Sequence, residues 1–169
     1  MKSVAEFLDK VLFKSKHWQV FLVMIALIVV TSVFDQGFVF FGIVYFWWMP
    51  AIGIMLRRFL PAYYEKSYLY FLGACAILLI GFFDSMYLHL VPDSEVVHVL
   101  YIMFFVGSFV VMLFYVARSI ASALTSDRAT VADYATDIFF LFLIFPLGVW
   151  FIQPKLNLLY QQYFRNTQN

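Results

Sequence analysis

Residues 68–91 form an apolar run with a single acid, Asp84, set inside it. A helix of ~20 residues crosses the ~30 Å hydrocarbon core of a bilayer, so this run is long enough to span one. Apolar stretches of similar length flank it. The spacing predicts spans over residues 18–34, 38–56, 68–91 and 96–116, that is, an all-α integral membrane protein with a four-span helical bundle. Composition agrees. The chain has 169 residues, 64% hydrophobic and 12% charged, against roughly 25% charged in an ordinary soluble domain. A net charge of +1 leaves no basic field for nucleic acid. The single cysteine, Cys75, excludes an internal disulfide and zinc sites built on several cysteines. No cleavable signal peptide is expected, because the first apolar run outlasts an h-region and ends without a small-x-small cleavage site.

Two amphipathic helices are expected to flank the bundle. In residues 1–17, Ser3 and Glu6 match a capping box, and Val4, Phe7, Leu8, Val11 and Leu12 make one apolar face. Lys10, Lys14 and Lys16 lie off that face, which suits a helix in the membrane interface. In residues 155–169 a second stripe runs through Leu156, Leu159, Tyr160, Tyr163 and Phe164.

The connections follow from length and breakers. Residues 18–56 as one helix would measure ~58 Å, about twice the core thickness, so the chain must turn, and Asp35-Gln36-Gly37 is the place. Pro50 predicts a kink in the second span, with Trp47 and Trp48 packed beside it, and Gly42 and Gly53 on a face that permits close helix contact. Pro92-Asp93-Ser94-Glu95 reads as the second outer turn. Residues 118–137 are polar and mixed in charge, expected as a cytoplasmic helical extension and loop. Residues 138–154 form a short hydrophobic segment, ~22 Å over 138–152, interrupted by Pro146 and Gly148 and expected to close at Gln153-Pro154. It is expected either to dip in and return or to span.

Lysine and arginine mark the cytoplasmic side of a membrane protein. With both ends of the four-span bundle inside, the outer turns carry Asp35, Asp93 and Glu95 and no basic residue. If the short segment is re-entrant, all eleven Lys and Arg fall inside. The expected location is therefore a plasma membrane, multi-pass, with the N-terminus cytoplasmic, and Trp18 and Trp150 as interface anchors.

Asp84 is the foremost candidate for chemistry. It sits ~24 Å up the third helix from Tyr68, on roughly one side with Gly73, Ile77 and Gly81. An acid there costs a few kcal/mol, about 3 by insertion scales, unless paired, hydrated or protonated. It is either a cation or proton site, or an acid near the outer end held by a hydroxyl such as Tyr45, Tyr101 or Ser108. A weaker candidate is a metal site from His89, His98 and Asp35, since imidazole and carboxylate suit a divalent ion. No short ligand spacing is present, and Asp84 and His89 point ~140° apart on an ideal helix. No cofactor is expected. The zinc-protease, hydrolase-elbow, phosphate-loop and dinucleotide motifs are absent from the sequence, so an enzyme is the less favoured class.

The stretch Pro146-Leu147-Gly148-Val149-Trp150-Phe151-Ile152-Gln153-Pro154-Lys155-Leu156-Asn157 resembles the tail of a family of short, uncharacterised bacterial multi-pass membrane proteins, written P-I-G-x-W-x-x-Q-P-[KR]-[IL]-N. Leu147 stands where the pattern has Ile. The resemblance covers this tail alone. It implies a bacterial inner-membrane origin and carries no activity and no site residues. The motif positions are Pro146, Gly148, Trp150, Gln153, Pro154 and Asn157, with Trp150 expected as anchor and Gln153 as a donor to backbone. The expected function is a non-enzymatic accessory or assembly component of a membrane complex, bound to another membrane protein or to copies of itself. The alternative is a small oligomeric transporter or channel for a cation or proton through Asp84.

Overall fold

The structure, a computed structural model, describes residues 16–33, 47–60, 65–84, 95–125, 128–144 and 147–168. Several expected elements lie outside these: the N-terminal amphipathic helix up to residue 15, the turn at Asp35-Gln36-Gly37, the first part of the second span, and the turn beginning at Pro92. The described residues are almost all helical and contain no strand. The chain is all-α. Among the described residues six helices follow in order: α1 His17–Val33, α2 Met49–Leu56, α3 Glu65–Phe83, α4 Glu95–Leu124, α5 Arg128–Leu143 and α6 Leu147–Gln168. A single 3-10 turn, Arg57–Phe59, ends α2.

Among the described residues, two helices are long and apolar enough to cross a membrane, α3 with 19 residues and α4 with 30. Only 22% and 28% of their apolar windows are buried. A core helix of a soluble protein would be covered on most sides, whereas these present Leu69, Tyr70, Ile80, Val99, Met103 and Phe104 outward.

The packing centre is α4, which contacts α2, α3, α5 and α6. Its two halves differ. From Glu95 to Gly107 it is mostly exposed and rests on α3 through Tyr101 and Phe105. From Ser108 onward one side is covered, with Met112, Leu113, Val116, Ala117, Ile120 and Ala121 buried, while Val110, Val111 and Phe114 stay exposed. On α3 the buried stripe is Phe71, Ala74, Leu78 and Gly81, at the i, i+3, i+4 steps that put side chains on one helical face. Gly73 and Ile77 fall on the other side, with open space beside Gly73. The face shared by Gly73, Ile77, Gly81 and Asp84 therefore splits into a buried edge and an exposed one.

Glycine sets the approach of α2 to α3. A Cβ on Gly53 would stand 2.3 Å from the Phe71 ring. Phe71 fills that gap, stacks on Tyr115 at 4.5 Å between ring centroids and is fully buried. Pro50 stands in the first turn of α2, where its missing N–H costs no helical bond. Trp47 and Trp48, just before it, wind as a π-type turn.

Past Arg118 the helix of the fourth span runs on as the expected extension to Leu124, and α5 begins at Arg128, so residues 118–124 and 128–137 are helical. Residues 138–154 are split between two helices. The first ends at Leu143 and the second begins at Leu147, and α6 continues through Pro154 rather than closing at Gln153-Pro154. The amphipathic tail is thus continuous with the second half of the short hydrophobic segment. Its stripe is used for packing within the protein, since Leu156 and Leu159 are buried while Gln161 and Gln162 are exposed. Helices α5 and α6 form an antiparallel hairpin, and close to its tip a Cβ on Gly148 would clash with the Leu141 carbonyl.

Phe114 on α4 lies edge-on to Phe139 on α5, 6.4 Å away. The tip of the α5–α6 hairpin is ~7 Å farther along. It therefore reaches only about the middle of α4. Helix α1 packs on α6, with Phe21 and Trp150 at 5.0 Å between ring centroids.

Candidate functional site

Asp84 continues the buried stripe of α3 one step past Gly81 and is 6% exposed. Its position follows from the sequence: once Phe71, Ala74, Leu78 and Gly81 face α4, the next position on that face is Asp84. Gly81 makes the site possible. Phe105 and the Tyr101 hydroxyl come to 2.8 and 3.0 Å from the point a Cβ would occupy there. The Tyr101 hydroxyl donates to the Gly81 carbonyl at 2.8 Å. Asp84 lies near enough to that phenol to interact with it electrostatically. Of the three hydroxyls expected near Asp84, Tyr101 is there. Ser108 lies two turns farther along α4, in a groove described below, and Tyr45 is outside the described residues.

Chemically this is a carboxyl group beside a phenol in an apolar wall. It can hold a proton or contribute to a cation path. No group of three His, Cys, Asp or Glu among the described residues could hold a metal. His98 is exposed on the first turn of α4. The other two members of the expected metal set, His89 and Asp35, lie outside the described residues.

A second feature was not legible in the sequence. A groove of about 1000 Å³ runs along the outer side of the α3–α4 pair. Gly73 and Gly107 form its floor, with nothing within 4 Å of a Cβ placed on either. Ile77, Phe104 and Val111 make its walls, and Arg118 stands at one end. The signal was available in principle as two glycines on separate runs, but only the antiparallel pairing of α3 with α4 shows that both line one groove.

The end of the molecule that carries Arg118 holds several aromatic and basic groups. Arg57 lies 4.6 Å over the Tyr68 ring, and Tyr68 lies 6.2 Å from Tyr115. Arg57 and Glu65 approach to 3.9 Å, both exposed, an arrangement that contributes little to stability. Trp18 is 44% exposed and sits one turn before Phe21, the partner of Trp150. The two expected anchors therefore lie within about a turn of one level. Trp150 is 36% exposed, with part of its ring committed to Phe21.

In the tail motif, Gly148 provides the backbone contact and Gln153 is fully buried. The Gln153 amide donates to the Asn157 side chain at 3.2 Å, so the donor expected for backbone is used one turn along the helix. Pro154 removes the N–H that would meet the Trp150 carbonyl. Pro146 lies outside the described residues. Lys155, which the sequence reading left unused, donates to the Tyr134 hydroxyl and holds its ammonium 4.0 Å from the centre of that ring.

No family model, curated protein or solved structure matches the chain.

Proposed function

We propose that the chain is a multi-pass protein of the bacterial inner membrane that acts as a non-enzymatic accessory or assembly component, docking a transmembrane helix of a partner protein. The observation that carries this reading is the α3–α4 groove. Two glycines lie open at its floor, on facing helices, in the middle of an apolar surface. In lipid no hydrophobic force drives helices together, and close approach at small residues is what makes a helix contact favourable. The glycines of the other contacts are already filled, Gly53 by Phe71, Gly81 by Phe105 and Gly148 by the Leu141 backbone.

In this reading α1, with 17 residues, is a span of minimum length, and the second span includes α2. The α5–α6 hairpin enters from the Arg118 side, turns at the level of mid-α4 and returns, which is re-entrant geometry. Lys155, paired with Tyr134, then lies at the same end as Arg57, Arg58 and Arg118, while Asp84 and Glu95 lie at the other. That segregation of charge supports a cytoplasmic N-terminus.

Native mass spectrometry after extraction in mild detergent tests the proposal. The expected result is a stoichiometric second protein that Gly107→Leu displaces, since the new side chain projects into space that is open within this chain. A bare monomer from wild type, or retention of the partner by Gly107→Leu, overturns it. Burial of Asp84 beside Tyr101 favours one other reading, a cation or proton path in a homo-oligomer. There, Asp84→Asn would abolish flux in proteoliposomes while expression persists, and unchanged flux would remove it.

A further inference from the structure

At the Arg118 end, Leu124, Thr125, Tyr134, Pro154, Lys155 and Leu158 enclose a cleft of about 390 Å³ where the end of α4 meets α5 and α6. We propose that this cleft binds the phosphate of an anionic phospholipid headgroup, with Lys155 and Tyr134 as its ligands.

The first argument is the state of the lysine. Its ammonium is half-buried and pinned, donating to the Tyr134 hydroxyl while lying over the same ring. An ammonium has three N–H donors and no acceptor. One goes to Tyr134, and the other two serve a ligand in the cleft. The Tyr134 oxygen accepts from Lys155, which leaves its own proton to donate to the same ligand. The Thr125 hydroxyl is committed to the Ala121 carbonyl and acts as wall. A pinned ammonium with a phenol O–H beside it matches an anion with several acceptor oxygens, as a phosphate has. Because the tyrosine already orders the lysine, little side-chain entropy is lost on binding.

The second argument is depth. Residues 124–125 and 128 bracket the α4–α5 turn, so Tyr134 lies level with residues ~118–120 of α4. That is the end of the apolar length of α4, where Arg118 stands, and it is the headgroup layer in the membrane reading. The third argument is the lining. Leu124, Pro154 and Leu158 supply apolar walls around the ammonium, and Pro154 and Leu158 are exposed at the rim. A small soluble anion has no use for such walls, whereas a lipid brings glycerol and the first methylenes with its phosphate.

The inference rests on the membrane reading, which is checked first and separately by whether the chain sediments with membranes and resists alkaline carbonate extraction. The binding test uses the full chain in mild detergent, titrated with dioleoyl-phosphatidylglycerol or dioleoyl-phosphatidylcholine and followed by native mass spectrometry. Both lipids carry a phosphate diester, but the second brings a quaternary ammonium that repels Lys155. The expected result is at least about tenfold preference for phosphatidylglycerol. Lys155→Met should remove that preference, Lys155→Arg should retain most of it, and Tyr134→Phe, which keeps the ring, should weaken it severalfold. Circular dichroism establishes that each variant is folded. Equal retention by folded Lys155→Met overturns the proposal. Protection from thermal unfolding by millimolar inorganic phosphate equal to that by phosphatidylglycerol also overturns it, because it would make the site one for a soluble anion.

Discussion

Replacing Gly148 with alanine tests the α5–α6 hairpin at its tightest point. The added Cβ would fall 1.7 Å from the Leu141 carbonyl oxygen and 2.6 Å from its carbonyl carbon, where ordinary contact begins at 3.4 Å. Both atoms are backbone, so no side-chain rotation relieves the clash, and the two helices must separate by about 1.5 Å or more on that geometry. Separation strips contacts from Val149 and Ile152, both essentially fully buried. Overpacking a well-filled core costs about 1–3 kcal/mol when side chains can adjust. A backbone clash belongs at the top of that range. Alanine recovers about 1 kcal/mol through its higher helix propensity. The net expectation is a loss of about 2 kcal/mol, or about 4–8 °C in unfolding temperature for a chain of this size. Thermal unfolding in detergent, followed by circular dichroism and by the emission of the neighbouring Trp150, measures it. Gly73→Ala and Gly107→Ala are the matched controls, since nothing lies within 4 Å of a Cβ at either. They should unfold at or slightly above the wild-type temperature. If Gly148→Ala unfolds with them, the close approach of α5 and α6 is refuted.

Phe71→Ala empties the space between Gly53 and Tyr115 and should cost about 3–5 kcal/mol, with Phe71→Leu retaining most of the stability; similar melting of the two would show that the ring is not the wedge between α2 and α3. Tyr101→Phe removes the donor to the Gly81 carbonyl and should cost about 1 kcal/mol, seen as faster amide exchange around residues 81–84 without change elsewhere. Pro154→Ala restores a helical hydrogen bond to a helix that is continuous at that point. It should raise the unfolding temperature, by up to about 3 kcal/mol of propensity, whereas no gain would mean that α6 is broken at residue 154.

The sequence by itself determined what is local or collective in the chain. Hydrophobic runs too long for a soluble helix face mark α3 and α4, because run length against bilayer thickness needs no knowledge of neighbours. Asp84 stood out because an acid in such a run is costly wherever it points. The tertiary structure decided what depends on pairing. Polarity over residues 118–137 suited a helical extension and a loop; how far the helices run, to Leu124 and again from Arg128, is sustained by contacts of Ile120, Ala121 and Ala135 with the core. Pro154 reads as a terminator, yet packing of Ile152, Leu156 and Leu159 holds α6 together across it. The stripe of α3 turned so that Gly81 and Asp84 face inward while Gly73 and Ile77 face outward, a choice fixed by Gly53 and Tyr101 on other helices. Lys155 meets Tyr134, and Gly73 and Gly107 come to line one groove, only because the hairpins are antiparallel. Run length and composition are properties of one segment, but a binding surface is a property of two, and the register between two helices is set by side chains that no single segment contains.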